Sequence, residues 1–188
     1  MNPMEQFEAI VSEYYEPLYR FALSLTRSQS DACDLTQHTF YVWAGKGHQL
    51  RDTSKVKTWL FTTLHRAFLE TRRKQHRFTY HQLEEVADEL PVASPAQFDP
   101  VDTSQVLSAL ATVDRAFQAP LALFYLEDHA YKDIAEILEV PIGTVKSRIA
   151  RGIEQLRGIM SPNRNIPERA PAEWDSSATL TKEQLRSF

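Results

Sequence analysis

Thr144, Lys146, Ser147, Arg148 and Arg151 crowd into one short stretch of the chain. Hydroxyls and cations in that density suit phosphate oxygens and the base edges of a major groove. A second group is Lys57, Thr58, Phe61, Thr62, His65, Arg66, Leu69, Arg72 and Arg73. Here apolar and aromatic groups interleave with cations, the composition of a surface that holds unstacked bases by ring stacking and phosphate neutralisation. The plainer alternatives are a solvated amphipathic hairpin for the first group. For the second, Phe61 and Leu69 would pack against a neighbouring helix beneath a merely soluble basic surface.

Both groups need helices to position them. Ile134, Ile137 and Leu138 recur at helical spacing, which predicts a short helix over 132–139, and Val140-Pro141 ends it because proline fixes φ and pushes its predecessor toward extended geometry. Gly143-Thr144 offers a cap for a second helix whose core face is Val145, Ile149, Gly152, Ile153 and Leu156. Thr144, Ser147 and Arg151 lie on the other side, with Lys146 and Arg148 on its flanks. From Ile142 to Gly158 the cations Lys146, Arg148, Arg151 and Arg157 face Glu154 alone, an electrostatic footprint for nucleic acid. The second group belongs to a long helix with the inner stripe Val56, Trp59, Leu60, Thr63, Leu64 and Ala67; from Lys55 to Arg77 seven cations stand against Glu70.

Upstream, Phe7, Ile10, Val11, Tyr14, Leu18, Phe21, Ala22 and Leu25 mark a first helical wall, with Pro17 at a kink or opening a second segment. Another helix starts at Ser30-Asp31 and stops at Gly45 and Gly47, with Ala32, Leu35, Thr39, Val42 and Trp43 inward and Asp31, Asp34 and Gln37 outward. Taken alone, those acids are capping groups on a solvated face. Toward the other end, Val106, Leu107, Leu110, Val113, Phe117, Leu121, Phe124, Tyr125 and Leu126 predict two supporting helices broken near Ala119-Pro120, with Asp114, Glu127 and Asp128 as ordinary surface acids.

The order of residues carries more than their periodicity. DIAEILEVPIGTVKSRIARGIEQLR resembles the promoter-reading C-terminal domain of bacterial extracytoplasmic-function sigma factors, in which E-I-A-x-x-L-x-V-P-x-G-T-V-K-S-R is typical; Glu139 stands where that family usually has glycine. DACDLTQHTFYVW resembles the family's D-A-E-D-L-x-Q-E-x-F-x-x-x-W, which docks on the clamp helices of the largest RNA polymerase subunit. The resemblance implies docking through Asp31, Asp34, Leu35, Gln37, Phe40 and Trp43, with Cys33 and His38 in place of two customary glutamates. KVKTWLFTTLHRAFLETRRK is similar to the segment that separates promoter strands and holds the −10 element, with His65 for the usual asparagine and Glu70 for aspartate. By position, the loop Gln49 to Ser54 corresponds to the family's pocket for a flipped base.

The remaining sequence fits that reading. An all-α protein is expected, with two small helical domains at 1–77 and 105–159, the second carrying a helix-turn-helix. A flexible acidic linker would join them over 78–104 and a polar tail would follow over 160–188. The linker holds six acids, no Lys or Arg, and three prolines. It reads as a tether, as a nucleic-acid mimic for a cationic polymerase channel, or as both. The tail has three prolines, then Trp174 and a capping-box pattern from Thr181 to Gln184, and is either disordered or folds back to regulate. Net charge is −4, so attraction to DNA must come from local patches. The single Cys33 excludes an internal disulfide, and the polar, acidic start without a long apolar run points to the cytoplasm. Six histidines show no metal-ligand spacing, and no glycine-rich phosphate loop or nucleophile elbow is present, so neither a cofactor nor an enzyme is expected. The expected partners are core RNA polymerase and promoter DNA, with an anti-sigma factor as a further candidate. The competing reading is a stand-alone helix-turn-helix regulator with weakened polymerase contact.

Overall fold

The structure, a computed structural model, describes residues 3–79 and 100–160. Seven α-helices and two short 3-10 turns make up the secondary structure of the described residues: α1 (Pro3–Thr26), α2 (Gln29–Lys46), α3 (Val56–Thr79), α4 (Pro100–Thr112), α5 (Arg115–Tyr125), α6 (Tyr131–Leu138) and α7 (Ile142–Met160). Most of the segment expected as a linker, and the expected tail, lie outside the described residues; residues 100–104 stand in the first turns of α4.

α1, α2 and α3 pack side by side. Leu18, Phe21 and Ala22 of α1 meet Ala32, Leu35 and Phe40 of α2 and Val56, Leu60, Phe61 and Leu64 of α3, all buried. Pro17 lies within α1, which runs on as one helix. α1 ends at Arg27, whose φ of 60° turns the chain, and Ser28 caps α2 by accepting a hydrogen bond from the Asp31 amide. Gly47 closes α2 because a Cβ there would sit 2.6 Å from the Trp43 ring, which stands edge-on to Trp59 at 5.1 Å.

The C-terminal helices form the second layer. The break between α4 and α5 falls at Val113-Asp114, not at the expected Ala119-Pro120. Asp114 opens α5: its carbonyl accepts from the Phe117 amide at 2.8 Å, while Gln155 of α7 both donates to its carboxylate at 2.7 Å and accepts from its amide at 3.0 Å. Pro120 rides inside α5 with its ring buried, an offset for the hydrogen bond it lacks.

The two layers share one apolar core, with α1 packed on α5 and α3 on α6. The loop between α5 and α6 is central to this union. Glu127, expected at the surface, is only 4% exposed and pairs with Arg20 of α1. Its neighbour Asp128 has a φ of 55°, which turns the loop so that His129 packs edge-on against Phe61 at 4.8 Å.

Candidate nucleic-acid interface

α6, the turn and α7 form the helix-turn-helix. Glu139 ends α6 in the left-handed region, at φ 55° and ψ 43°, and the Val140 amide bonds back to the Ala135 carbonyl at 3.1 Å. The Pro141 carbonyl then accepts from the Thr144 and Val145 amides at 2.8 and 3.2 Å. α7 therefore begins at Ile142, and Gly143 and Thr144, expected as its cap, lie inside its first turn. Val145, Ile149, Gly152, Ile153 and Leu156 are buried against the other helices. Gly152 is required by proximity: a Cβ would lie 2.6 Å from Leu121 Cδ1 and 3.1 Å from Phe117 Cβ. Opposite that face Lys146, Ser147 and Arg151 are exposed and Thr144 and Arg148 half-buried, with the Ser147 hydroxyl donating to the Thr144 carbonyl at 3.0 Å. Thr144, Ser147 and Arg151 share the side of α7 away from the core, with Lys146 and Arg148 on its two flanks, which gives them a fixed spacing for a groove.

The second expected group is divided along α3. Phe61, expected among the cations at the surface, is fully buried, tilted against Phe21 at 5.4 Å and edge-on to His129. α1 and the α5–α6 loop enclose that side of α3. Thr58 is buried too, and its carbonyl accepts from the Thr62 hydroxyl at 2.8 Å. Lys57 donates to the Glu127 carbonyl at 2.6 Å, and Arg66 reaches Glu139 with Nε at 3.1 Å and with a guanidinium Nη2. His65 is held down to about 4, first by burial and further by Arg148. Farther along, Leu69 and Arg73 are exposed, and Arg72 lies over the Phe68 ring at 5.8 Å. His65, Leu69 and Arg72 of α3 meet Arg148 of α7 around a crevice of about 370 Å³. The loop before α3 is wet: Arg51 to Ser54 are exposed, and Asp52 accepts from the amide and hydroxyl of Ser54 at 3.0 and 2.7 Å.

On α2, Asp31, Asp34 and Gln37 are exposed, whereas Leu35 and Phe40 are core residues and Trp43 is half-buried against Trp59. The side chains of Leu35 and Phe40 point into the bundle and support the helix. Sequence reasoning missed Tyr41, 78% exposed. It stands four residues from Gln37 and seven from Asp34, and so on their face. An aromatic off the inner stripe at that spacing is the signal that identifies it. A cleft of about 720 Å³ runs beside this face between α2 and α3, with Asp31, Asp34 and His38 on one wall and Phe68, Arg72 and Lys74 on the other.

No group of three or more potential metal ligands occurs among the described residues. No helix among them is long and apolar enough to cross a membrane.

Two known families match separate parts of the chain. Sigma-70 region 2 matches residues 10–78, and Sigma-70, region 4 matches residues 104–156. The chain is 30% identical over 162 residues to the ECF RNA polymerase sigma factor SigE of Mycolicibacterium smegmatis, a match covering 84% of this chain and 63% of that relative, so the chain spans less than two thirds of it. It is 30% identical over 160 residues to the ECF RNA polymerase sigma factor SigM of Bacillus subtilis, covering 81% of this chain and 93% of SigM. Among solved structures, the sigma factor RpoE of Bartonella quintana, in complex with the anti-sigma factor NepR, superposes with a TM-score of 0.70 at 28% identity, covering 85% of this chain and 99% of RpoE.

Proposed function

Because the chain belongs to the extracytoplasmic-function RNA polymerase sigma factors, we propose that it binds core RNA polymerase and directs initiation at promoters whose −35 and −10 elements it reads. The observation that carries this is the exposed face of α7, where Lys146, Ser147 and Arg151 stand beside Thr144 and Arg148 on a helix fixed by its buried opposite side. Thr144 to Arg151 would enter the major groove of the −35 element, cations on phosphates and those reaching base edges supplying specificity. The cations and apolar groups of α3, with the loop Gln49 to Ser54, would hold the separated −10 strand. Asp31, Asp34, Gln37 and Tyr41 would meet the polymerase. On this reading the protein acts in the cytoplasm by binding, with no reaction and no cofactor of its own. RpoE was solved with an anti-sigma factor, and a partner of that kind is proposed for this chain as well.

Co-purification with core polymerase tests the docking half. The full chain is expected to elute with core polymerase, and Asp34→Arg combined with Tyr41→Ala to elute separately; a wild-type chain that elutes apart from core polymerase contradicts the reading. Cys33 and His38 favour a second reading, since they sit on the docking helix where the related motif carries acids. It is a helix-turn-helix regulator that binds promoters without polymerase, and footprinting of the −35 region by the isolated protein, with no polymerase co-elution, would support it.

A further inference from the structure

We propose that the crevice between α3, α5 and α7 is a binding site for a nucleoside polyphosphate, its phosphates held by Arg72, Arg115 and Arg148 and its base set against the apolar wall. The binding itself does not depend on the promoter roles given above; the competition with −35 DNA drawn from it does.

Three helices bring the guanidiniums together. Arg72 of α3, Arg115 at the first position of α5 and Arg148 of α7 all line one space of about 370 Å³. Among the described residues no carboxylate lines it, and the ion pairs lie elsewhere. Like charges that converge without a counter-ion repel one another, and a bound anion relieves the repulsion. A guanidinium matches a phosphate through parallel N–H donors, and three of them suit the charge of a di- or triphosphate. The start of α5 adds to the same field. Its N-cap, Asp114, makes no side-chain bond to the helix and accepts from Gln155 at 2.7 Å instead, leaving the first turn without a side-chain acceptor; Arg115 and Ala116 of that turn line the crevice.

The remaining lining suits a planar base. Leu25, Phe68, Pro120 and Leu138 supply an apolar wall, and Arg72 lies over the Phe68 ring at 5.8 Å. His65 joins that wall as a neutral ring with one donor and one acceptor, since burial holds its pKa down to about 4. Gln118, only 3% exposed, donates to the Val113 carbonyl at 2.6 Å, which leaves its side-chain oxygen as an acceptor for a base N–H. An apolar wall with a few polar groups is the make-up of a small-molecule site, and a bare inorganic anion has no use for the wall. The adjoining cleft shares Leu25, Phe68, Arg72 and Arg115 but adds Asp31, Asp34 and Glu70, which confines the anion to the crevice side.

Arg148 belongs both to this crevice and to the reading face of α7. A polyphosphate that holds it withdraws a cation from the −35 duplex, so nucleotide concentration acts as a brake on promoter reading.

The test is equilibrium dialysis of the full chain against labelled ATP and GTP in magnesium-free buffer, with pyrophosphate and dodecyl phosphate as competitors. Saturable binding of at least one nucleotide is expected, with both competitors weaker than unlabelled nucleotide. Arg115→Glu, at an exposed position, is expected to keep the wild-type melting temperature and to weaken nucleotide binding by about tenfold or more, a charge-assisted contact being replaced by a like charge. Excess nucleotide is expected to displace a −35 duplex from the wild type and not from Arg115→Glu. Absence of saturable binding overturns the proposal, and so does binding that Arg115→Glu leaves unchanged, because the ligand then sits elsewhere. Pyrophosphate competing as well as nucleotide would mark an anion site with no place for a base, and dodecyl phosphate competing better would mark a lipid-like ligand; either overturns the nucleotide assignment. A duplex that stays bound while nucleotide saturates the protein overturns the shared use of Arg148. Failure of the initiation reading shows separately, as a protein that binds nucleotide in this way and supports no transcription with core polymerase.

Discussion

Arg20 of α1 grips Glu127 of the α5–α6 loop with two nitrogens, Nε on one carboxylate oxygen at 3.2 Å and Nη2 on the other at 3.4 Å. The two residues are 107 positions apart in the chain. Their fork-to-carboxylate geometry fixes the rotation of one domain on the other. Glu127 is buried, so its charge depends on this partner and on Lys57 nearby. Arg20→Ala leaves that carboxylate without its main partner. The docked, folded form is expected to lose about 2 kcal/mol, below the value for a fully buried pair because Arg20 is partly open to water. Glu127→Gln, which keeps an acceptor for Arg20 and removes the charge, is expected to cost less. Thermal denaturation of both variants at neutral pH checks the order; equal or reversed losses contradict it.

The same boundary makes docking sensitive to pH in two opposed ways. Burial pushes Glu127 up to about 7, outweighing the pull of Arg20 and Lys57. Docking therefore takes up a proton there, and its contribution, full at low pH, is lost as pH rises from the ordinary glutamate range through about 7. Burial pushes His129 and His65 down to about 4, with Lys57 adding to the effect on His129 and Arg148 on His65, while Asp128 and Glu139 oppose. Their contribution is full above the ordinary histidine value and lost as pH falls toward 4. Two histidines against one glutamate give a net loss on acidification below about 6.5. His129→Gln is expected to make the fall in melting temperature between pH 6.5 and 4.5 shallower and Glu127→Gln to make it steeper. Unchanged slopes in both variants contradict the assignment.

Gly152→Ala tests the seat of the reading helix. The added methyl would meet Leu121, whose side chain is fully buried and has little room to yield. A destabilisation of about 1–3 kcal/mol is expected from overpacking, seen as a lower unfolding midpoint. A neutral or stabilising effect would mean that α5 and α7 are farther apart in solution than described.

Arg151→Ala and Arg148→Ala test the reading face itself. Each is expected to weaken −35 duplex binding, by about 1–3 kcal/mol where the guanidinium makes a bidentate base contact and by less where it meets a phosphate. Competition with a scrambled −35 duplex separates the two: loss of discrimination marks the base contact. Binding unchanged in both variants removes this face from the account.

Much of this was legible in the sequence because it depended on local pattern. The inner stripes of α3 and α7 follow from spacing, and Gly152 fell on the core face with the residues that now enclose it. What escaped was set by the union of the two domains. Glu127 resembled any surface acid until Arg20, far away in the chain, was placed beside it. Phe61, off the inner stripe, is buried from two directions, tilted on Phe21 of its own bundle and edge-on to His129 of the other domain. Asp114 took the helix start from Pro120 through Gln155, a partner on a later helix. Periodicity describes one helix against water, and each of these residues answers to a neighbour beyond its own helix.

The central claim is that this chain directs polymerase to promoters, and run-off transcription from genomic fragments by sigma-free core polymerase tests it most directly. Discrete new transcripts that require the protein, and that weaken with Arg151→Ala, are the predicted result. Absence of any new start site, from protein shown to bind the same fragments, would contradict it.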